Sequence, residues 1–153
     1  MIYCLDTSAL IAAWHELYPI DVFPKFWELM DQLVAEKRIL APDEVLRELA
    51  KKDDALHKWA KARTDVFVPF DESLLAKGAE ITNKYRRLLE QKTGRNGADP
   101  WVIALAALRG AVLVTKEGPS GTLAKPKIPD VCQAEKIEWI TVLEVIRREK
   151  WSF

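Results

Sequence analysis

The chain opens Met1-Ile2-Tyr3-Cys4-Leu5-Asp6-Thr7-Ser8-Ala9-Leu10-Ile11. The apolar run Ile2 to Leu5 stops abruptly at Asp6. Thr7 and Ser8 follow, either of them suited to cap a helix, and a helical apolar pattern runs from Ala9 to about Leu17. Strand, carboxylate and helix start therefore succeed one another without a spacer. In an open α/β sheet, ligands bind outside the carboxyl ends of the strands. Asp6 stands where such a site would be, and the rest of the chain is read for other carboxylates arriving at the same edge.

Moving outward, Pro19 and Asp21 mark a break, and Pro24 fits the first turn of a second helix reaching about Lys37. Phe23, Phe26, Met30, Leu33 and Val34 form its buried stripe, while Val22, Trp27 and Leu29 add apolar surface beyond it. Ile39-Leu40-Ala41 reads as a second strand, and Pro42 opens a helix with Asp43 and Glu44 in the first turn, where the helix dipole favours acids. Asp53 and Asp54 start a further helix, and Val66-Phe67-Val68 is a minor strand or an extended connection. Asp71 begins a long helix, Glu72 to about Lys92, ending at Gly94, with Leu74, Leu75, Ile81, Tyr85, Leu88 and Leu89 as its apolar positions. After an Asn96-Gly97 turn, Asp99-Pro100 starts a strongly apolar helix that Gly110 stops. Ala111–Val114 is a buried strand, Lys116–Lys127 a loop, Ile137–Ile140 a last strand and Thr141–Glu149 a closing helix. Strands alternate with helices throughout, which predicts one domain over residues 1–153: a three-layer α/β/α fold around a mainly parallel sheet.

The 153 residues are 49% hydrophobic and 30% charged, with zero formal net charge, so any nucleic-acid surface must be local rather than global. Cys4 and Cys132 are the only cysteines, too few for a disulfide framework, and Cys4 sits in an apolar strand pattern. No signal-like segment and no membrane-length apolar run is present, and the expected location is the cytoplasm. His15 and His57 form no cluster, which argues against a structural zinc site.

The acids at strand ends and helix starts are Asp6, Glu44 or Glu48, Asp99 and Glu117. All can face the carboxyl edge of the sheet. Converging carboxylates repel and call for a cation. Mg²⁺ accepts hard oxygen ligands and keeps several waters, and such a site suits phosphodiester hydrolysis. Each residue also has an ordinary role: Asp99 as an N-cap before Pro100, Asp6 as a strand terminator or cap, Glu117 as a solvated loop charge. Between the two glutamates, the apolar positions Pro42, Val45, Leu46 and Leu49 decide. At about 100° per residue, Glu48 lies roughly 105° from the centre of that stripe and Glu44 roughly 145°. Glu48 is the better candidate. Thr7, Ser8 and Thr115 carry hydroxyls able to orient carboxylates or metal waters, or equally to cap helices and strand ends.

In this order the motifs resemble the PIN-domain superfamily, the fold of many ribonuclease toxins from toxin–antitoxin pairs. Asp6-Thr7-Ser8 is similar to its opening motif, Val45-Leu46-Arg47-Glu48-Leu49 to its second, Asp99 through Ala106 to its third, and Val114-Thr115-Lys116-Glu117 to its fourth, where Thr-x-Asp is usual. Glu117 in place of Asp is a departure. The resemblance implies an α/β/α domain, Mg²⁺ or Mn²⁺ held by Asp6, Glu48, Asp99 and Glu117, hydrolysis of RNA, a homodimer and an antitoxin partner. The alternative is a PIN-like RNA- or protein-binding module without catalysis. An aspartyl-phosphate phosphatase ranks below both, because Ser8 stands where its Asp-x-Asp pattern needs the second Asp. For RNA contact, the basic residues Lys84, Arg86, Arg87 and Lys92 of the long helix, Arg95 just past its end and Lys116 of the loop are the candidates, with Tyr85 available for stacking. A solvated helical face is the other reading of the same charges.

Overall fold

The computed structural model describes residues 1–52, 54–90 and 98–153. The opening stretch forms strand β1 (Tyr3–Leu5), all three residues buried, followed directly by helix α1 (Thr7–Ala12). Asp6, rather than Thr7 or Ser8, is the N-cap: its backbone is extended and its side chain accepts the Ala9 N–H at 2.8 Å. The helix then widens into a π-helical turn, Ala13–Leu17, closed by Tyr18 N–H donating to Ala13 O at 2.8 Å. Such turns are uncommon and concentrate at functional sites.

The chain continues through α2 (Pro24–Ala35), β2 (Ile39–Pro42), α3 (Asp43–Ala50), α4 (Ala55–Lys61), a 3₁₀ turn Thr64–Val66, β3 (Phe67–Val68) and α5 (Glu72–Lys84). Helix α6 (Arg87–Glu90) precedes α7 (Asp99–Arg109), then come β4 (Val112–Val114), α8 (Ile128–Glu135), β5 (Trp139–Ile140) and α9 (Val142–Arg148). The expected long helix from Glu72 to Lys92 does not form as one piece. Tyr85 leaves helical geometry (φ −124°, ψ 57°), its ring is buried, and its hydroxyl donates to Glu135 at 2.6 Å. Leu75, expected in the apolar stripe, is exposed. The Gly94 stop, the Asn96-Gly97 turn and Asp53 lie outside the described residues; Asp54 caps α4, accepting the His57 N–H. Helix α8 is an element the sequence pattern did not announce.

The sheet order is β3-β2-β1-β4-β5, and every pairing is parallel. β1 is central, flanked by β2 in register Tyr3↔Ile39 and by β4 in register Tyr3↔Val112. Alternation along β1 assigns the layers. Tyr3 and Leu5 face Phe26 and Met30 of α2 and Val145 of α9, together with α1. Cys4 points the other way, its thiol 3.6 Å from the Val102 carbonyl of α7. Helices α5 and α7 pack tightly together on that second face, and the result is the expected α/β/α sandwich. No helix among the described residues is long and apolar enough to cross a membrane.

Candidate active site at the carboxyl edge of the sheet

Asp6 lies at the first residue beyond the central strand and is only 2% exposed. A buried carboxylate needs donors, and Ala9, Thr115 and Ser8 supply them. Ala9 N–H reaches Oδ1 at 2.8 Å. The Thr115 hydroxyl reaches Oδ2 at 2.6 Å. The Ser8 hydroxyl lies 2.8 and 2.9 Å from the two oxygens. Each hydroxyl, having given its proton to Asp6, accepts a backbone N–H from the segment after β4: Lys116 N–H to Ser8 at 3.2 Å and Glu117 N–H to Thr115 at 3.0 Å. The Asp6 amide itself donates to Val114 O at 3.0 Å, tying together the ends of β1 and β4. Ser8 and Thr115 are thus brought to Asp6 as orienting groups. Thr7 is not: its hydroxyl is buried with no hydrogen-bond partner among the described residues.

Glu48 extends across from α3, and its Oε1 accepts the Ala98 N–H at 3.1 Å. Ala98 is the residue that caps α7, so Glu48 reaches the place where Asp99 begins. Asp99 is 6% exposed and is the first residue of α7, whose N-cap is Ala98, so its ordinary role as an N-cap is not the one it plays. One turn further along α7, Val102 packs on Cys4, two residues before Asp6. Asp6, Glu48 and Asp99 therefore all belong to the carboxyl edge. Glu44 goes elsewhere, pairing with Arg47 on the outside of α3.

Glu117, half-buried, turns toward α8: its Oε2 accepts the Ile128 N–H at 3.3 Å. The loop between them is fastened by Asp130, a residue the sequence reading passed over. Its buried carboxylate accepts Ser120 N–H (2.9 Å), the Ser120 hydroxyl (2.8 Å), Gly121 N–H (2.9 Å) and Lys127 N–H (2.7 Å). Burial works against the Asp130 charge, but these donors outweigh it and hold the carboxyl below its ordinary value. The available signal was the Pro129-Asp130 pair, an acid in the first turn of a helix that proline opens.

The basic residues separate into two groups. Lys116 adjoins the site, its ammonium 2.6 Å from Glu16 of the π-helical turn. Lys84 is far from it. Helix α5 leaves the carboxyl edge after β3 and ends beside Glu135, just ahead of β5, at the amino edge; there Lys84 lies 2.8 Å from Glu135. Arg86 and Arg87 follow it and are exposed. Tyr85 is buried and not available for stacking. Lys92 and Arg95 lie outside the described residues.

Neither thiol is chemically poised. Burial, with the Asp6 charge adding to it, pushes the Cys132 thiol up to about 12, and Cys4 is raised by the same causes. His15 pairs with Asp54 at 3.1 Å. The donors at the edge are hard carboxylate and hydroxyl oxygens, the set that Mg²⁺ and Mn²⁺ take. Among the described residues, no three His, Cys, Asp or Glu side chains form a ready metal-holding group. The carboxylate and hydroxyl oxygens at the edge fit a hydrated cation held by few protein ligands; they do not form a closed cage.

A family model described as a domain of unknown function (DUF4411) matches residues 3–153. No curated protein matches the chain. Among solved structures, VapBC2 from Rickettsia felis, bound to a DNA fragment from its promoter, aligns with a TM-score of 0.55 at 13% identity, over 92% of this chain and 98% of that one. VapBC-1 from nontypeable Haemophilus influenzae aligns at 0.53 and 16%, over 92% and 98%. FitAcB from Neisseria gonorrhoeae aligns at 0.52 and 17%, over 91% and 96%.

Proposed function

We propose that this chain, which belongs to the DUF4411 family and has a PIN-like fold, is a metal-dependent endoribonuclease, the toxin of a toxin–antitoxin pair. The observation that carries the proposal is Asp6: a buried carboxylate at the end of the central strand, gripped by Ala9 N–H, Ser8 and Thr115, on the edge that Glu48 and Asp99 also reach. Burying an acid there costs stability and needs a functional return.

In this reading Asp6 and Asp99 hold Mg²⁺ or Mn²⁺, with Glu48 beside them. When bound, the cation supplies charge stabilisation at the phosphate and an activated water. The protein's own part is preorganisation. Ser8 and Thr115 fix both oxygens of Asp6. Glu48 fixes the start of α7 and so the origin of Asp99. The bonds from Lys116 and Glu117 backbone amides keep the two hydroxyls from turning away. Lys116 supplies a cation next to the site for an RNA phosphate. An antitoxin partner and a homodimer belong to the same reading, in line with the likeness of the fold to the VapBC and FitAcB structures.

Purified protein is expected to cleave single-stranded RNA with Mg²⁺ or Mn²⁺ and to stop when chelator is added. Asp6→Asn and Asp99→Asn are each expected to lower the rate by about a hundredfold or more, since such groups act as a unit, with the circular dichroism spectrum unchanged. Cleavage by Asp6→Asn at the wild-type rate would remove the central claim. The second reading, a PIN-like binding module without catalysis, is favoured by the lack of a ready three-ligand group among the described residues; it predicts RNA or protein binding with no cleavage at any metal concentration.

A further inference from the structure

We infer that Glu117 is a positioning residue and not a metal ligand: its carboxylate turns to the start of α8, and it acts on the site through Thr115 and Asp6. The inference rests on the metal-dependent reading of the edge. The Glu117 carboxylate accepts the first N–H of α8, from Ile128, at 3.3 Å. Its backbone N–H donates to Thr115 Oγ1 at 3.0 Å, and that same hydroxyl gives its proton to Asp6 Oδ2 at 2.6 Å. One residue therefore links the start of α8 to the buried carboxylate. An aspartate at this position is one methylene shorter, and the extra reach of glutamate is what the bond to α8 uses. Asp130 fixes the loop between the two ends, so the N–H that Glu117 meets is held in place.

A glutamine at this position separates the two roles. It keeps a carbonyl oxygen for the Ile128 N–H but loses the charge that a cation needs. Mn²⁺ binding is measured by electron paramagnetic resonance titration and calorimetry on the wild type and on Asp6→Asn, Glu117→Gln and Glu117→Ala, with thermal melts of each in chelator. Glu117→Gln is expected to keep Mn²⁺ affinity within about fivefold of wild type, the worth of one nearby charge through solvent, and to melt with the wild type. Glu117→Ala is expected to bind about tenfold more weakly than the glutamine variant, as loss of an orienting partner does, and to melt lower. A fall for Glu117→Gln as large as that for Asp6→Asn would make Glu117 a ligand and overturn the inference. Equal affinity of Glu117→Ala and wild type would overturn it from the other side, leaving Glu117 without a positioning role. If the wild type binds no Mn²⁺, the metal-dependent reading itself falls and this inference falls with it, a result distinct from any difference between variants.

Discussion

Glu44 and Glu48 stand one turn apart on α3 and have opposite surroundings. Glu44 pairs with Arg47 outside the helix, whereas Glu48 reaches the Ala98 N–H at the start of α7. Glu48→Gln is expected to cut cleavage by about a hundredfold and weaken Mn²⁺ binding, while Glu44→Gln changes either by less than about threefold, as for an exposed ion pair. Rate and calorimetric measurements on the two variants check the ranking, and the reverse order would place the wrong glutamate at the edge. The direction of Glu48 was legible because Val45 and Leu49 fix the helix phase. Its partner was not, since Ala98 lies 50 residues away and offers only a backbone amide. Asp6 divides in the same manner. Its cap on Ala9 and its contact with Ser8 are local, and Asp-Thr-Ser before an apolar run announces them. The Thr115 hydroxyl arrives from 109 residues away and is placed by the β1–β4 register.

At the level of elements, strands and apolar helices read well from pattern, and the errors fall where tertiary contacts overrule it. Nothing local to Tyr85 forbids helix; burial of its ring and the Glu135 carboxylate draw it out of the run. Helix α8 follows directly on the Gly-, Pro- and Lys-rich loop Lys116–Lys127, and its own stretch went unassigned although Pro129 in its first turn is compatible with a helix start. Gly78 is a further case. It lies in the middle of α5, where glycine is a poor helix former, yet it is where α5 meets α7. A Cβ built there would fall 2.0 Å from the ring of Trp101, which Phe70 holds edge-on at 4.8 Å. Gly78→Ala would gain helix propensity but is expected to lose about 1–3 kcal/mol of stability through overpacking, read as a lowered denaturation midpoint with an unchanged slope. A neutral or stabilising effect would mean that the Trp101 ring gives way freely.

For the molecule as a whole, buried and half-buried carboxylates close the chain on itself. Glu149, just after α9, accepts the Tyr3 hydroxyl and Arg38, each at 2.6 Å, joining the last helix to the first strand and to the entry of β2. Glu135 accepts Lys84 and Tyr85, joining α8 to α5. Asp130 holds the loop after β4. Burial opposes the charge on Glu149, but the bonds from Arg38 and Tyr3 outweigh it, so its carboxyl lies below the ordinary range. Glu135 is lowered chiefly by its bonds from Lys84 and Tyr85, and Asp130 by its donors against burial. A carboxylate whose folded pKa is depressed binds fewer protons folded than unfolded, so its contribution is complete above the unfolded value, near 4. That contribution drains away as pH falls through the lower folded value. Stability is therefore expected to be flat from neutral pH down to about 5 and to fall steeply below about 4. Melting in chelator from pH 7 to pH 3 follows this without interference from metal binding. Glu149→Gln tests the assignment. Its glutamine cannot take up a proton in this range, so the variant is expected to be less stable than wild type at pH 7 and to lose less on acidification. The two melting curves should converge toward pH 3. Curves that stay parallel across the whole range would show that Glu149 titrates alike folded and unfolded, and that the join between last helix and first strand does not depend on its charge.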